Sequence, residues 1–214
     1  MIQNQVSRIQ NLRSKIAPTW CPGCHDYIIF AGLQQAIAAL DCPKEDVVIV
    51  YDIGCVGNMA DYLSVYGLHG LHGRCIPTAV GVKFANPKLK VIALGGDGGI
   101  YGEGLNHLIA AARLNLDVTV IVANNRLYSL TTGQTSPTTP KGTTTKSTPL
   151  GAPAASFDPL KILPATNSEI LVKHVKCQQP LEVTAAMKEA LNFPGFALLD
   201  LDQLCVTFGK HLGA

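Results

Sequence analysis

Apolar positions along the chain fall into two patterns. Continuous runs rich in β-branched residues occupy 46–54 (DVVIVYDIG), 90–96 (KVIALGG) and 117–125 (DVTVIVANN). They lack the alternation of a half-exposed strand, so they predict strands covered on both faces. A further strand is expected in 195–205 (GFALLDLDQLC). Helical spacing marks 27–40, a short helix over 78–87 closed by Pro87, and 104–114; a helical pattern around LEVTAAMKEALN fills 157–194. Strand and helix in alternation predict an α/β fold, a parallel sheet with helices on both faces. Ligands of such folds sit at the carboxyl ends of the strands, where DIGC, GGDGG and ANN all lie.

Two segments escape these patterns. Residues 1–19 are polar with scattered apolar positions and read as an N-terminal surface arm ended by Pro18. Residues 131–156 are dense in Thr, Pro and Gly without periodicity. A loop that long is more often an active-site or partner-binding element than a linker. With no internal repeat, 1–214 is expected to form a single domain.

Composition adds a hint of assembly. Of 214 residues 47% are hydrophobic and only 15% charged, with mean hydropathy +0.22, which suggests that another subunit covers part of the surface. A net charge of +2 argues against nucleic acid or an anionic membrane as partner. The longest apolar runs, such as 118–123, are far short of a membrane span. The opening MIQNQVSRIQNLRSK has no apolar signal core, and a cytoplasmic location is expected. Seven cysteines, an odd number without a secretory signal, favour metal or redox use of a subset over disulfides.

Asp97 stands among four glycines where a strand gives way to a helix, and Asn125 ends the next strand 28 residues later. Neighbouring parallel strands bring two such side chains into one crevice. A carboxylate and an amide suit a hard cation such as Mg²⁺, and bare backbone with a helix start suits a diphosphate. Alone, GDG would be a glycine turn with a capping Asp. Cys21 and Cys24 form a C-x₂-C pair open to zinc, iron–sulfur or redox use, while Cys42, Cys75 and Cys177 read as small buried apolar residues.

GDGG followed by NN resembles the signature of thiamine diphosphate (TPP) enzymes. WCPGCHD, DIGC, HGLHGRCIPTAVGVKFANP, GDGGIYGEGLNHLIAAARLN and NNRLYSLTTGQTSPTTPKG, in this order, closely resemble the β subunit of 2-oxoacid:ferredoxin oxidoreductases from about Trp20 to Phe208. That resemblance implies Mg²⁺ on Asp97, Asn125 and the Leu127 carbonyl, and cofactor contacts at Gly54, Gly96, Gly98, Gly99 and Tyr128. It implies a [4Fe–4S] cluster on Cys21, Cys24, Cys55 and Cys205. His72 and Arg74 would line the pocket, and Thr131, ahead of Gly133 and Gln134, its mouth; His107 is as readily structural as functional.

The implied reaction is oxidative decarboxylation of a 2-oxoacid to acyl-CoA and CO₂, with electrons passed to ferredoxin. The glutamate that activates the cofactor would come from the pyrimidine-binding domain of an alpha (or alpha/gamma) partner, in a dimer of heterodimers. The alternatives are a non-oxidative TPP lyase with zinc or no metal at the cysteines, which iron content separates, and a non-enzymatic scaffold subunit. Three features depart from the family pattern: Asn58 where a basic residue is usual, a short VTFGKHLGA after Cys205, and Gly99 where an acid often follows GDG.

Overall fold

The computed structural model describes residues 2–212, with side chains from Gln5 onward. Its strands are β1 (Val47–Tyr51), β2 (Tyr66–His69), β3 (Lys90–Gly96), β4 (Val118–Asn124), β5 (Leu127–Tyr128), β6 (Gln134–Thr135), β7 (Leu171–Lys176) and β8 (Ala197–Asp202). Its helices are α1 (Ile2–Asn11), α2 (Asp26–Ala38), α3 (Cys75–Ala85), α4 (Leu105–Leu114), α5 (Pro159–Thr166) and α6 (Pro180–Asn192). Six strands form one sheet in the order β2-β1-β3-β4-β8-β7, every pair parallel. β5 and β6 make a small antiparallel pair beside it.

The continuous apolar runs are explained by two cores, one on each face. Val47, Ile49 and Tyr51, with Ile92, Leu94, Ile121 and Ala123, face α2 and α6. The intervening Val50, Val91, Ala93, Val118, Val120 and Val122 face α3 and α4. Side chains alternate between faces, and neither face is wet, so no polar position interrupts the pattern.

One expectation needs correction, and two segments gain local structure. The single helical pattern of 157–194 divides into α5, β7 and α6. β7, LVKHVK, is an edge strand with one neighbour and mostly half-exposed positions, and β2 at the other edge is exposed throughout. Edge strands carry polar residues and lose the apolar run that marked the centre of the sheet. The beginning of the supposed arm is helix α1. Arg8 fastens it by donating to the carbonyls of Leu40 and Cys42, both at 2.9 Å, and Leu12 just after it is buried. Between β3 and α4 the chain makes a π-helical turn, Gly98–Glu103, before regular helix begins. Among the described residues no helix is long and apolar enough to cross a membrane.

A buried polar group ties the far edge of the sheet to its centre. The Asp200 carboxylate accepts the Tyr101 hydroxyl at 2.7 Å and the Asn124 amide at 3.1 Å, and it meets His174 Nδ1 at 2.7 Å. That last bond, ahead of the opposing effect of burial, raises the His174 pKa above its usual 6.5. A raised folded-state value means the charged histidine stabilises the fold below about 6.5, and the benefit fades as pH climbs through the folded value. We expect the melting-temperature deficit of His174→Asn to be largest at acid pH and to shrink steadily above pH 6.5; a deficit independent of pH from 5.5 to 8.5 refutes this.

Candidate active site

The ends of β1, β3, β4 and β8 lie side by side in the sheet. They place Asp52 to Cys55, Asp97, Asn125 and Gln203 to Cys205 along one edge. Asp97 is almost fully buried and accepts hydroxyls from Ser136 at 2.5 Å and Thr138 at 2.6 Å on a single oxygen. The Asn125 backbone amide beside it also favours the charged form. Burial pushes its carboxyl up to about 6, against the pull of those hydroxyls. A carboxylate has about four acceptor sites, so room remains for a cation. Asn125 Oδ1 already accepts the Leu127 N–H and the Ser129 hydroxyl, each at 3.0 Å. These bonds fold the turn that follows β4.

A cavity of about 100 Å³ opens here, lined by Gly54, Gly96 to Gly99, Asn125, Leu127, Tyr128, Thr131 and His72. Arg74 is not among the lining residues; its guanidinium donates to the carbonyls of Gly73 and Glu103. Thr131 Oγ1 sits 2.7 Å from Gln134 Oε1 at the mouth. His107 stands on α4, half-buried and off the lining.

The glycines serve two purposes, where the sequence suggested one. A Cβ at Gly98 would fall 2.3 Å from the Tyr128 ring, and one at Gly99 would fall 2.1 Å from Asp52 Oδ2. These two are required by the protein's own side chains. Gly54 and Gly96 meet nothing closer than ordinary contact and leave bare backbone facing the cavity.

Cys21, Cys24, Cys55 and Cys205 line a second cavity of about 230 Å³, together with Asn58. The two cavities share Cys55, Asn125, Ser129 and Leu130 as a common wall. Donors point at the sulfurs: Gln203 Nε2 to Cys24 at 3.3 Å, Thr207 Oγ1 to Cys21 at 3.2 Å and the Phe208 N–H to Cys205 at 3.4 Å. Burial, reinforced by the nearby Asp26 carboxylate, pushes Cys24 and Cys55 up to about 12 each. Such thiols ionise only when a cationic group binds them. Among the described residues no three His, Cys, Asp or Glu side chains converge on a point suited to one metal ion. Cys75 and Cys177 are buried in the opposite cores, and Cys42 is half-buried in the turn after α2.

The sequence profile described as "Thiamine pyrophosphate enzyme, C-terminal TPP binding domain" matches residues 52–201. The beta subunit of 2-oxoacid:ferredoxin oxidoreductase 1 from Aeropyrum pernix is 38% identical over 94% of this chain and 63% of its own length. The 2-oxoglutarate synthase subunit KorB from Archaeoglobus fulgidus is 36% identical over 92% of this chain and 73% of its own. A 2-oxoglutarate:ferredoxin oxidoreductase from Magnetococcus marinus, solved with 2-oxoglutarate, coenzyme A and succinyl-CoA, superposes with TM-score 0.91. It is 32% identical and is matched over 95% of this chain and 69% of its own.

The chain belongs to the TPP-binding beta subunits of the 2-oxoacid:ferredoxin oxidoreductases. It spans 63% and 62% of the beta subunits from Aeropyrum and Saccharolobus solfataricus.

Several side chains of this beta subunit's site were not singled out in the sequence. Ser136 and Thr138 sit in a stretch, TSPTTP, whose hydroxyls and prolines mark a turn but not its target. Asp26 opens α2 and lines the first cavity, fully buried, with Oδ1 unpartnered and its carboxyl pushed up to about 7 by burial. Its one clue was an acid just after C-x₂-C-H. Asp52 is wholly buried, taking the N–H groups of Ile53 and Gly73 on Oδ1. Replacing Thr138 by Val keeps the shape and removes a hydroxyl from Asp97. Bonds to charged groups are worth about 1.5–3 kcal/mol, and we expect a loss of that size in urea unfolding; a loss below about 0.5 kcal/mol contradicts the role given to this bond.

Proposed function

We propose that this subunit binds thiamine diphosphate and a [4Fe–4S] cluster in the two adjoining cavities and serves a CoA-acylating 2-oxoacid:ferredoxin oxidoreductase. The observation that carries this reading is the shared wall: a glycine-lined cavity with a buried carboxylate abuts a cavity lined by four thiols. The names of its relatives support the same class of reaction. When bound, thiamine diphosphate supplies the carbanion chemistry that releases CO₂ from a 2-oxoacid, and the cluster supplies a one-electron route outward.

The residues divide the remaining tasks. Asp97, the Leu127 carbonyl and Asn125 Oδ1, once it gives up the Leu127 or Ser129 hydrogen bond, would hold Mg²⁺ against the diphosphate. Gly54 and Gly96 let that diphosphate approach the backbone, with Gly98, Gly99 and Tyr128 shaping the turn beside it. Cys21, Cys24, Cys55 and Cys205 ligate the cluster. Four thiols around a 230 Å³ cavity suit a polynuclear group better than one tetrahedral zinc. Gln203, Thr207 and the Phe208 N–H then hydrogen-bond to the thiolates. His72 and Thr131 stand at the mouth, where the 2-oxoacid enters. Arg74, outside the lining, helps hold the turn that carries His72.

The site is a floor without a roof. Complete small-molecule sites run to roughly 300 Å³ or more, and the cofactor cavity has about 100 Å³. Exposed apolar side chains lead up to it: Tyr66, Leu68 and Leu71 precede His72, and Ile53 and Leu130 line it. An alpha (or alpha/gamma) partner covers this rim and brings the pyrimidine-side glutamate, in a dimer of heterodimers. Coenzyme A accepts the acyl group and ferredoxin the electrons.

Anaerobically purified complex is expected to hold about four irons and four acid-labile sulfides per beta chain, with a reduced-state EPR signal lost in Cys55→Ser. Zinc, or a folded complex without iron, overturns the electron-transfer part. Thiamine diphosphate with Mg²⁺ should also raise the melting temperature of the complex. Asp97→Ala should abolish that rise, and a rise kept by the variant removes Asp97 from the cation site.

A further inference from the structure

Glu103 lies inside the GDGGIYGEGLNH stretch with no role assigned to it, yet two side chains of the cofactor cavity converge on it. It ends the π-helical turn Gly98–Glu103. One carboxylate oxygen, Oε2, lies 3.0 Å from His72 Nδ1; the other accepts the Tyr128 hydroxyl at 3.2 Å. The same hydroxyl is 3.3 Å from the Gly98 carbonyl. The two rings stand 5.9 Å apart and both line the cavity, while Glu103 does not.

The backbone is built around this carboxylate. Gly73 has φ +71° and donates its N–H to Asp52 at 2.8 Å. A Cβ at Gly73 would come within 2.5 Å of the Glu103 Cβ, so the His72-Gly73-Arg74 turn rests directly on Glu103. Arg74 then donates to the Glu103 carbonyl at 3.1 Å. His72 is thereby held from its backbone and from its ring.

His72 Nδ1 is buried without an aligned hydrogen bond, while 35% of the side chain is exposed. The exposed part is therefore the opposite edge of the ring, which carries Nε2. A slight rotation aligns Nδ1–H with Oε2, as poorly aligned bonds of ligand-free sites commonly tighten on binding. Nε2 is then the nitrogen left to exchange a proton with a bound molecule.

We propose that Glu103 is a positioning residue, which fixes the tautomer and orientation of His72 so that Nε2 faces the 2-oxoacid and holds the Tyr128 hydroxyl over Gly98. The proposal rests on reading the cavity as the thiamine diphosphate site. Among the described residues the charged and titratable groups facing His72 are Glu103 from the π-helical turn, Asp52 after β1 and Tyr128 of β5.

The test uses the assembled complex with Glu103→Gln, Glu103→Asp, His72→Asn and the Gln/Asn double variant. Glu103→Gln should lower kcat about tenfold or more, with KM for the 2-oxoacid and the affinity for thiamine diphosphate each within about twofold. Glu103→Asp should recover part of the rate, and the double variant should be no slower than the slower single one. Additive losses, no recovery in Glu103→Asp, or a rate loss traced to weak cofactor binding overturns the proposal.

If wild-type complex turns over no 2-oxoacid, the reaction assigned to the site fails, but ¹⁵N-histidine NMR still decides this inference. The neutral wild-type ring should carry its proton on Nδ1 and shift toward the other tautomer in Glu103→Gln. Identical spectra refute it.

Discussion

A carboxylate removed from water must find donors, and Asp97 finds them on a loop some forty residues downstream. The Ser136 and Thr138 hydroxyls that satisfy it also anchor the start of the long segment after β5. Thr139 closes that turn on the Arg126 carbonyl, and Thr138 lies 2.9 Å from Asn124 Oδ1. The chain from Asp97 through Thr138 and Asn124 continues to Asp200, Tyr101 and His174. One buried charge thus links the middle of the sheet, the loop above it and the far edge. The rest of the segment has almost no regular structure, yet it closes on itself through Gly142 and Ala152 and through the Thr135, Thr145 and Thr148 hydroxyls.

Strand order converts distant sequence into adjoining cavities. With β1, β3, β4 and β8 side by side, Cys55, Asp97, Asn125 and Cys205 come to one edge. The amino end of α2 is then fastened to the end of β8 by His25 accepting the Leu204 N–H and by Gln203 donating to Cys24. These bonds span 179 residues and complete the four-thiol cavity. They also set the buried Asp26 carboxylate between the thiols and the cofactor cavity. The adjoining of the glycine-lined cavity and the four-thiol cavity is thus a consequence of parallel topology and two tethers.

The strands of the sheet centre were legible because both faces are buried, leaving long apolar runs; β2 and β7 were not, because each has one neighbour and a wet side. The cavity-lining residues lay in motifs at strand ends, where chemistry and backbone geometry coincide. Arg74 stood in such a motif and still faces elsewhere, because its guanidinium caps the carbonyls beneath it. Glu103, Asp52, Ser136 and Thr138 lay within such motifs, yet nothing along the chain told their roles, since each acts on a partner far away.

By itself the sequence determined a parallel α/β sheet, the strand ends where ligands meet it, and the residue types available there. Those features depend on local periodicity and on glycine, carboxylate and thiol chemistry, all of which can be read along one dimension. Only the tertiary structure decided which glycines face a cavity and which make room for Tyr128 and Asp52. It also decided that four cysteines surround one space, and that Asp97 is satisfied by a loop without secondary structure. These are properties of distance in three dimensions, set by strand order and by the need of buried polar groups for partners.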